Sequence, residues 1–306
     1  MKSKSLEAER YLRFTKSHGL LMIVCLCFSF ILILSTLLKN SGVSSLQQVF
    51  FRMALSLPLI FLLIVGKVKL ELKDAAHFML RGLVFSAFLF SALSSIAFGC
   101  PVPVTVALIY TQPFFTAIIS FLSGREKPSV KKLLIVFIGI FGAFLVSGVR
   151  LEQILELDIN VGILFASFGG FFYALYLFLK RTEKHAYTPM QALFNTFLFA
   201  ALFTIILGLI LRFFTENPLL VGFVIPNFYQ FSLLILFAAF STVLPYGLLN
   251  YVSTAEVSPT SEGTILLLDP ALHIVWATIL LNQYVSLFQY FGIALILASA
   301  FAMLRS

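Results

Sequence analysis

Ten runs of apolar residues, separated by short polar stretches, make up most of this chain: approximately 18–38, 45–65, 75–97, 101–122, 130–148, 159–179, 188–211, 229–251, 259–281 and 284–304. Each is near the ~20 residues that a helix needs to cross about 30 Å of hydrocarbon. The pattern predicts an all-α membrane protein of ten transmembrane helices. Less than a third of the chain remains for both tails and nine connections, which leaves no room for a soluble domain.

The polar positions inside these runs carry the chemistry. The most heavily marked stretch is Ser258 to His273, at the start of the ninth run, where Glu262, Asp269 and His273 interrupt apolar sequence. Their spacings put all three on one face of a helix, within roughly a 40° stripe. Ionisable groups at bilayer depth are costly, and usually face a water-filled cavity or another polar group rather than lipid. Pro270 removes a backbone donor and leaves the Leu266 carbonyl without its helical partner, so the ninth helix is expected to bend or open there. A kinked, polar-striped helix at the midplane is how many transporters build a binding site. The bland alternative is that Glu262, near the end of the run, is simply hydrated, and that Asp269 and His273 satisfy each other.

A second mid-run proline reveals a repeat. Pro113 lies in the fourth run as Pro270 does in the ninth, and beyond them Glu126, Ser129 and Lys132 fall opposite Gln283, Ser286 and Gln289 at a constant offset of 157 residues. Such an offset is the mark of a tandem duplication. The halves are 18–148 and 159–304, joined by an acidic segment at 149–158 and preceded by a basic tail, 1–17. Five spans per half is an odd number, so the second half runs through the membrane inverted. Inverted repeats with a site at their interface are characteristic of secondary transporters. Pro113 and Pro270 are the expected kinks.

Charge orients the bundle. With the first residue inside, 16 of the 21 basic residues fall on the cytoplasmic side, from the tail, the stretches 67–73, 125–132 and 180–184, and Arg305. The opposite side has only Lys39, Arg150 and Arg212. This bias places both termini in the cytoplasm. A net charge of +8 distributed in this way gives no reason to expect nucleic acid. A share of 60% hydrophobic and 11% charged residues excludes an ordinary soluble domain, whose charged share is nearer a quarter. The first apolar run is too long for a signal-peptide core and lacks an evident small-x-small cleavage site. Cys25, Cys27 and Cys100 fit neither a disulfide framework nor a zinc site, so they read as packing residues.

Other polar positions have two readings each. Arg52, about two turns into the second run, either snorkels outward or lies on the substrate path; Arg81 is expected to snorkel to the near interface. Ser86, Ser91, Ser94 and Ser95 favour close helix packing or line a cavity. Gly169-Gly170 reads as a flexible point, followed by Tyr173 and Tyr176 on a common face. Gln191 and Asn195 are placed for an interhelical hydrogen bond or a substrate contact. Small residues at Gly139, Ala143 and Ser147, and at Ala294, Ala298 and Ala302, read as packing stripes, between the halves or in a homodimer.

At residues 88–132 and 246–304 the chain resembles the EamA-type members of the drug/metabolite transporter superfamily. The resemblance rests on Ala92 to Ala97, Ala107-Leu108-Ile109-Tyr110-Thr111-Gln112-Pro113 and Gly124-Arg125-Glu126 in the first half. In the second it rests on Tyr246, Ala255, Leu266-Leu267-Leu268-Asp269-Pro270 and the run from Gln289 to Ile296. Arg52 also looks like the arginine usual in that family. The first helix lacks the tryptophan-glycine pair often seen there, Gln283 stands where a glutamate is usual, and Glu262 and Asp269 are not general family features. The resemblance implies two inverted five-helix halves, a central cavity lined mainly by helices 1, 3, 4, 6, 8 and 9, and export or exchange of small polar molecules.

The expected function is a multi-pass secondary transporter of the cell membrane, inner or plasma, for a small zwitterionic or cationic metabolite, foremost an amino acid or related compound. Glu262 and Asp269 would hold its cationic group, with hydrogen bonds from Tyr110, Gln112, Tyr246 and Asn250, and Tyr173, His273 and Arg52 as further candidates. A raised carboxyl pKa at Asp269 or Glu262 would couple transport to protons. Alternatives are a lipid-carrier flippase and uptake or exchange of S-adenosylmethionine or a nucleotide-type metabolite. An enzyme is not expected: the four histidines are scattered, and there is no HExxH pair, P-loop or GxSxG elbow. No cofactor or metal is called for.

Overall fold

The computed structural model describes residues 15–98, 100, 102–149, 161–181, 187–281 and 284–305. Residues 1–14 of the basic tail, Gly99 and Pro101, nearly all of the acidic join, Lys184 and Gln283 lie outside the described residues. Among the described residues, nine apolar helical spans have 18 residues or more: Lys16–Asn40, Ser45–Leu63, Leu72–Ile96, Val102–Leu122, Val161–Lys180, Pro189–Arg212, Phe228–Tyr251, Pro259–Leu280 and Leu287–Leu304. Between the fourth and the sixth lies Val130–Val146, of 17 residues, so ten spans stand where ten were expected. The first span departs in detail, being two helices, Lys16–Phe28 and Ile31–Asn40, parted at Ser29 and Phe30.

Local chemistry explains where many spans begin. Ser44, Thr188, Asn227 and Ser258 each accept a bond from a backbone amide in the first turn of the helix that follows. The duplication shows in the same chemistry: Ser129 caps the fifth span through Lys132 N, and Ser286 caps the tenth through Gln289 N.

Packing repeats the pattern. The third span packs on the sixth as the eighth packs on the first; the third on the seventh as the eighth on the second; the fourth on the sixth as the ninth on the first. The pairs 2–7, 4–9 and 5–10 are their own counterparts. These are the contacts of two inverted five-helix repeats about a shared two-fold. Large side chains such as Phe137, Phe141, Leu209 and Phe213 are exposed on the outside of the bundle, where lipid would cover them.

The fifth and tenth spans meet through glycine. A Cβ on Gly142 would lie 2.8 Å from the Gly292 carbonyl oxygen, and one on Gly292 would lie 2.7 Å from that of Gly142. Gly139 and Ala143 belong to this contact, but Ala294 and Ala298 are exposed. The packing face of the tenth span is instead Gly292, Ile296, Ser299 and Met303, because the fit of Gly292 sets the phase of that helix. Replacing Gly142 with alanine is expected to lower stability by about 1–3 kcal/mol, since backbone cannot move aside as a flexible side chain can. A lowered thermal midpoint in detergent would register it.

Arg81, expected to snorkel, and Arg52, for which snorkelling was one of two readings, are both buried. Arg52 is 6% exposed and Arg81 0%, because each finds partners inside the bundle. Two serines of the third span join helices: Ser86 donates to Ala200 O at 2.8 Å, and Ser95 shares a 2.8 Å bond with Thr105. Gln191 and Asn195 donate to the carbonyls of Lys67 and Lys69 at 2.8 and 2.7 Å, tying the seventh span to the connection after the second.

Candidate functional site

Two broken helices meet at the centre. The fourth span divides into Val102–Ile109 and Gln112–Leu122, and the ninth into Pro259–Ile265 and Leu268–Leu281. Each break lies just before a proline, whose ring nitrogen cannot donate to the preceding turn. At the second break Asp269 N turns to Leu266 O at 3.2 Å, a tighter three-residue bond. That releases Ile265 O, which takes the Cys25 thiol at 3.4 Å. At the first break Thr111 N bonds Leu108 O at 3.1 Å. Gly170 approaches this break so closely that a Cβ would sit 2.9 Å from both Leu108 O and Thr111 Oγ1. Gly169-Gly170 is therefore not a flexible point. The sixth span is one continuous helix, and Gly170 is there for close approach.

Residues just before the prolines are equivalent by the repeat and differ in chemistry. Gln112 is buried and engaged on both sides: its Nε2 donates to Gly263 O at 3.2 Å and its Oε1 accepts from Thr116 at 2.8 Å. It ties the fourth span to the ninth. Asp269 is only partly buried and accepts one hydrogen bond, from the Tyr110 hydroxyl at 3.0 Å. The alternative in which Asp269 and His273 satisfy each other is not what the structure shows. His273 Nδ1 lies 3.1 Å from Ser29 O, and Trp276 Nε1 donates to Ser29 Oγ at 3.0 Å, so both side chains engage the break in the first span.

Around Asp269 stand Tyr110, Tyr173, Tyr246 and Cys25, all close enough to interact with it electrostatically. Tyr246 is the hub of an aromatic wall, with ring centroids 4.9 Å from Phe28, 5.1 Å from Phe85 and 5.8 Å from Tyr176. Phe88 stacks on Tyr173 at 4.8 Å. Sequence reading missed Phe28, Phe85, Phe88 and Cys25. With 36 phenylalanines in the chain, nothing local marks the few that face the centre.

The remaining candidates lie apart. Arg52 donates to Thr242 Oγ1 at 3.0 Å and stands 4.4 Å over the Phe237 ring, filling the π-helical turn Ala239–Val243 of the eighth span. Its charge acts on Tyr246 of the centre. Asn250 accepts from Arg81 at 2.8 Å, toward the basic end of the bundle. Glu262 is 1% exposed and is not hydrated: Lys180 binds Oε1, and Arg181 grips Oε2 through Nη2 and, at 2.9 Å, Nε.

Glu126 belongs to the same end. Its Oε1 accepts from Thr260 N and Oγ1 at 2.8 and 2.9 Å, and its Oε2 pairs with Lys132 at 2.9 Å, fastening the 4–5 connection to the start of the ninth span. Burial pushes this carboxyl up, but the Thr260 amide and Lys132 outweigh it and hold it below its ordinary 4.5. A carboxyl depressed by folding contributes stability that is complete above its unfolded value and is lost as pH falls through the folded one. Acid unfolding below about pH 4.5 should therefore include about 1 kcal/mol from Glu126. Denaturation midpoints of wild type and Glu126→Gln, measured from pH 6 to pH 3, are expected to converge on acidification. An unchanged gap would rule the contribution out.

A cleft of about 330 Å³ opens elsewhere, between the second and seventh spans near Leu46, Phe50, Thr204, Gly208 and Phe223. It lies on the bundle's outer face, away from Asp269. Among the described residues, no three of His, Cys, Asp and Glu are placed to hold a metal ion.

Ten spans in two repeats, with paired broken helices crossing at the centre, define the architecture of a small-molecule membrane transporter. The EamA-like transporter family matches residues 15–148 and 160–305, one match per repeat, and the chain belongs to that family, within the drug/metabolite transporter superfamily. No curated protein matches the sequence. A solved structure described as "Crystal structure of protein" superposes with a TM-score of 0.71 over 94% of this chain and 95% of that chain. At 14% identity the two share a fold.

Proposed function

We propose that this transporter carries a small zwitterionic or cationic metabolite, an amino acid or a related compound, across the cell membrane by alternating access, as an exporter or exchanger. The observation that carries the reading is Asp269, a partly buried carboxylate with one hydrogen bond from Tyr110, set at a helix break and walled by aromatic rings. A lone carboxylate suits an ammonium group, and aromatic faces attract the same cation. Gln112, at the equivalent position of the first repeat, is neutral, so the pair supplies one negative charge rather than two. The breaks at residues 110–111 and 266–267 supply the bending points that rocking of the repeats requires. Proton uptake by Asp269 in exchange for substrate would couple transport to a gradient. On this reading both termini face the cytoplasm, following the basic connections.

Ligand stabilisation of the purified protein tests the substrate class, because a ligand that binds only the folded state adds about 2.7 kcal/mol at 100 times its Kd. Amino acids, S-adenosyl compounds, polyamines, nucleotide sugars and lipid-carrier analogues form the panel. A saturable rise in midpoint with an amino acid or related cation, followed by its counterflow in proteoliposomes, is the expected result. A response to lipid-carrier analogues alone would sink the reading in favour of a flippase.

A further inference from the structure

At the basic end of the bundle three spans bring charges together away from solvent. Arg81 of the third span is 0% exposed, Lys180 at the end of the sixth 6%, and Glu262 in the ninth 1%; the Arg181 side chain is 3% exposed. Glu262 pairs with Lys180 and with Arg181. Lys180 lies within the fields of both Arg181 and Arg81. Two cations thus share one carboxylate while a third acts on Lys180, and the cluster carries a positive excess. Unbalanced charge away from water is among the costliest arrangements a bundle can contain, and where it occurs it marks an ion or substrate path.

Donors accompany the charge. An ammonium has three N–H groups. Lys180 directs one to Leu249 O at 2.8 Å and one to Glu262, and its third has no partner among the described residues. Next in sequence to Leu249, Asn250 accepts from Arg81 through Oδ1, while its Nδ2 is buried with no hydrogen-bond partner among the described residues. Arg81 also stands 5.3 Å over the Tyr176 ring, and Tyr176 touches Tyr246 of the aromatic wall. The cluster therefore continues the central site along one wall.

We propose that Arg81, Lys180 and Asn250 form an anion station at the basic end of the passage, which takes the carboxylate of the zwitterionic metabolite whose ammonium group Asp269 receives. The inference rests on the reading of Asp269 for the identity of the ligand. The station itself rests on the shared carboxylate and on the two unused donors of Lys180 and Asn250. A guanidinium and a carboxamide side by side suit the planar geometry of a carboxylate.

The test uses the full chain in lipid nanodiscs, with propionate as the carboxylate probe and inorganic phosphate as its rival, at fixed ionic strength. The thermal midpoint is expected to rise saturably with propionate. The rise should vanish in Arg81→Gln, weaken about tenfold in apparent affinity in Asn250→Ala, and persist in Asp269→Asn. Should Arg81→Gln fail to fold, Arg81→Lys and Asn250→Ala carry the test: the first keeps the charge and the response, and the second removes the Nδ2 donor together with the oxygen that accepts from Arg81. Equal shifts in wild type and both Arg81→Gln and Asn250→Ala, or no saturable shift in wild type, would overturn the station. A shift with phosphate but not with propionate would overturn the carboxylate assignment. Propylammonium probes the Asp269 reading separately, because its shift should depend on Asp269 and not on Arg81.

Discussion

Asp269→Asn is expected to reduce transport in proteoliposomes by about 100-fold, equivalent to about 2.7 kcal/mol, while leaving the thermal midpoint near that of wild type. Asparagine keeps the shape of the side chain and an oxygen to accept the Tyr110 hydroxyl, so the break in the ninth span retains its support. What disappears is the negative charge. No other carboxylate shares this part of the bundle among the described residues, since Glu262 is held by Lys180 and Arg181. A cationic group arriving between the aromatic rings would meet two amides, the introduced asparagine and Gln112, in place of one amide and one carboxylate. Full transport by the variant would remove Asp269 from the site.

The largest effect on stability is expected at Glu262. Glu262→Ala should cost about 3–5 kcal/mol, because it leaves Lys180 and Arg181 buried with no carboxylate between them. Set against a typical folding stability of about 5–15 kcal/mol, such a loss should appear as low yield and a sharply lowered midpoint. Glu262→Ala combined with Lys180→Met should recover part of the loss, since it removes a stranded charge together with its partner. A single variant as stable as wild type would show that other groups neutralise the two cations.

The contrast between these two carboxylates marks how far sequence reading reaches. The ten spans were legible because length and apolarity are properties of each segment alone, and lipid asks little else of a helix. The repeat was legible because Pro113 and Pro270 act on their own backbone, so that the breaks come where the prolines are, and the Ser129 and Ser286 caps recur at the same offset. Asp269 was legible as a costly group at midspan. Its partner was not, because Tyr110 lies 159 residues away and nothing local points to it.

Other assignments failed for related reasons. Glu262, Asp269 and His273 share a face only if one continuous helix carries all three. The break at Leu266 and Leu267 uncouples the two halves, so the helical period no longer relates Glu262 to the others. Asp269 and His273 lie in the same half, and there the competing acceptor Ser29, from the distant first span, takes His273 instead. Arg52 and Arg81 looked able to reach an interface because a long side chain on an isolated helix can do so. Inside the bundle, Phe237 and Thr242 hold the first, and Tyr176 and Asn250 hold the second. By itself, then, the sequence determined the spans, their breaks and the repeat, which follow from local hydrophobicity and backbone chemistry. Only the tertiary structure decided which polar groups meet, because each such pairing joins helices far apart in the chain and depends on how they pack.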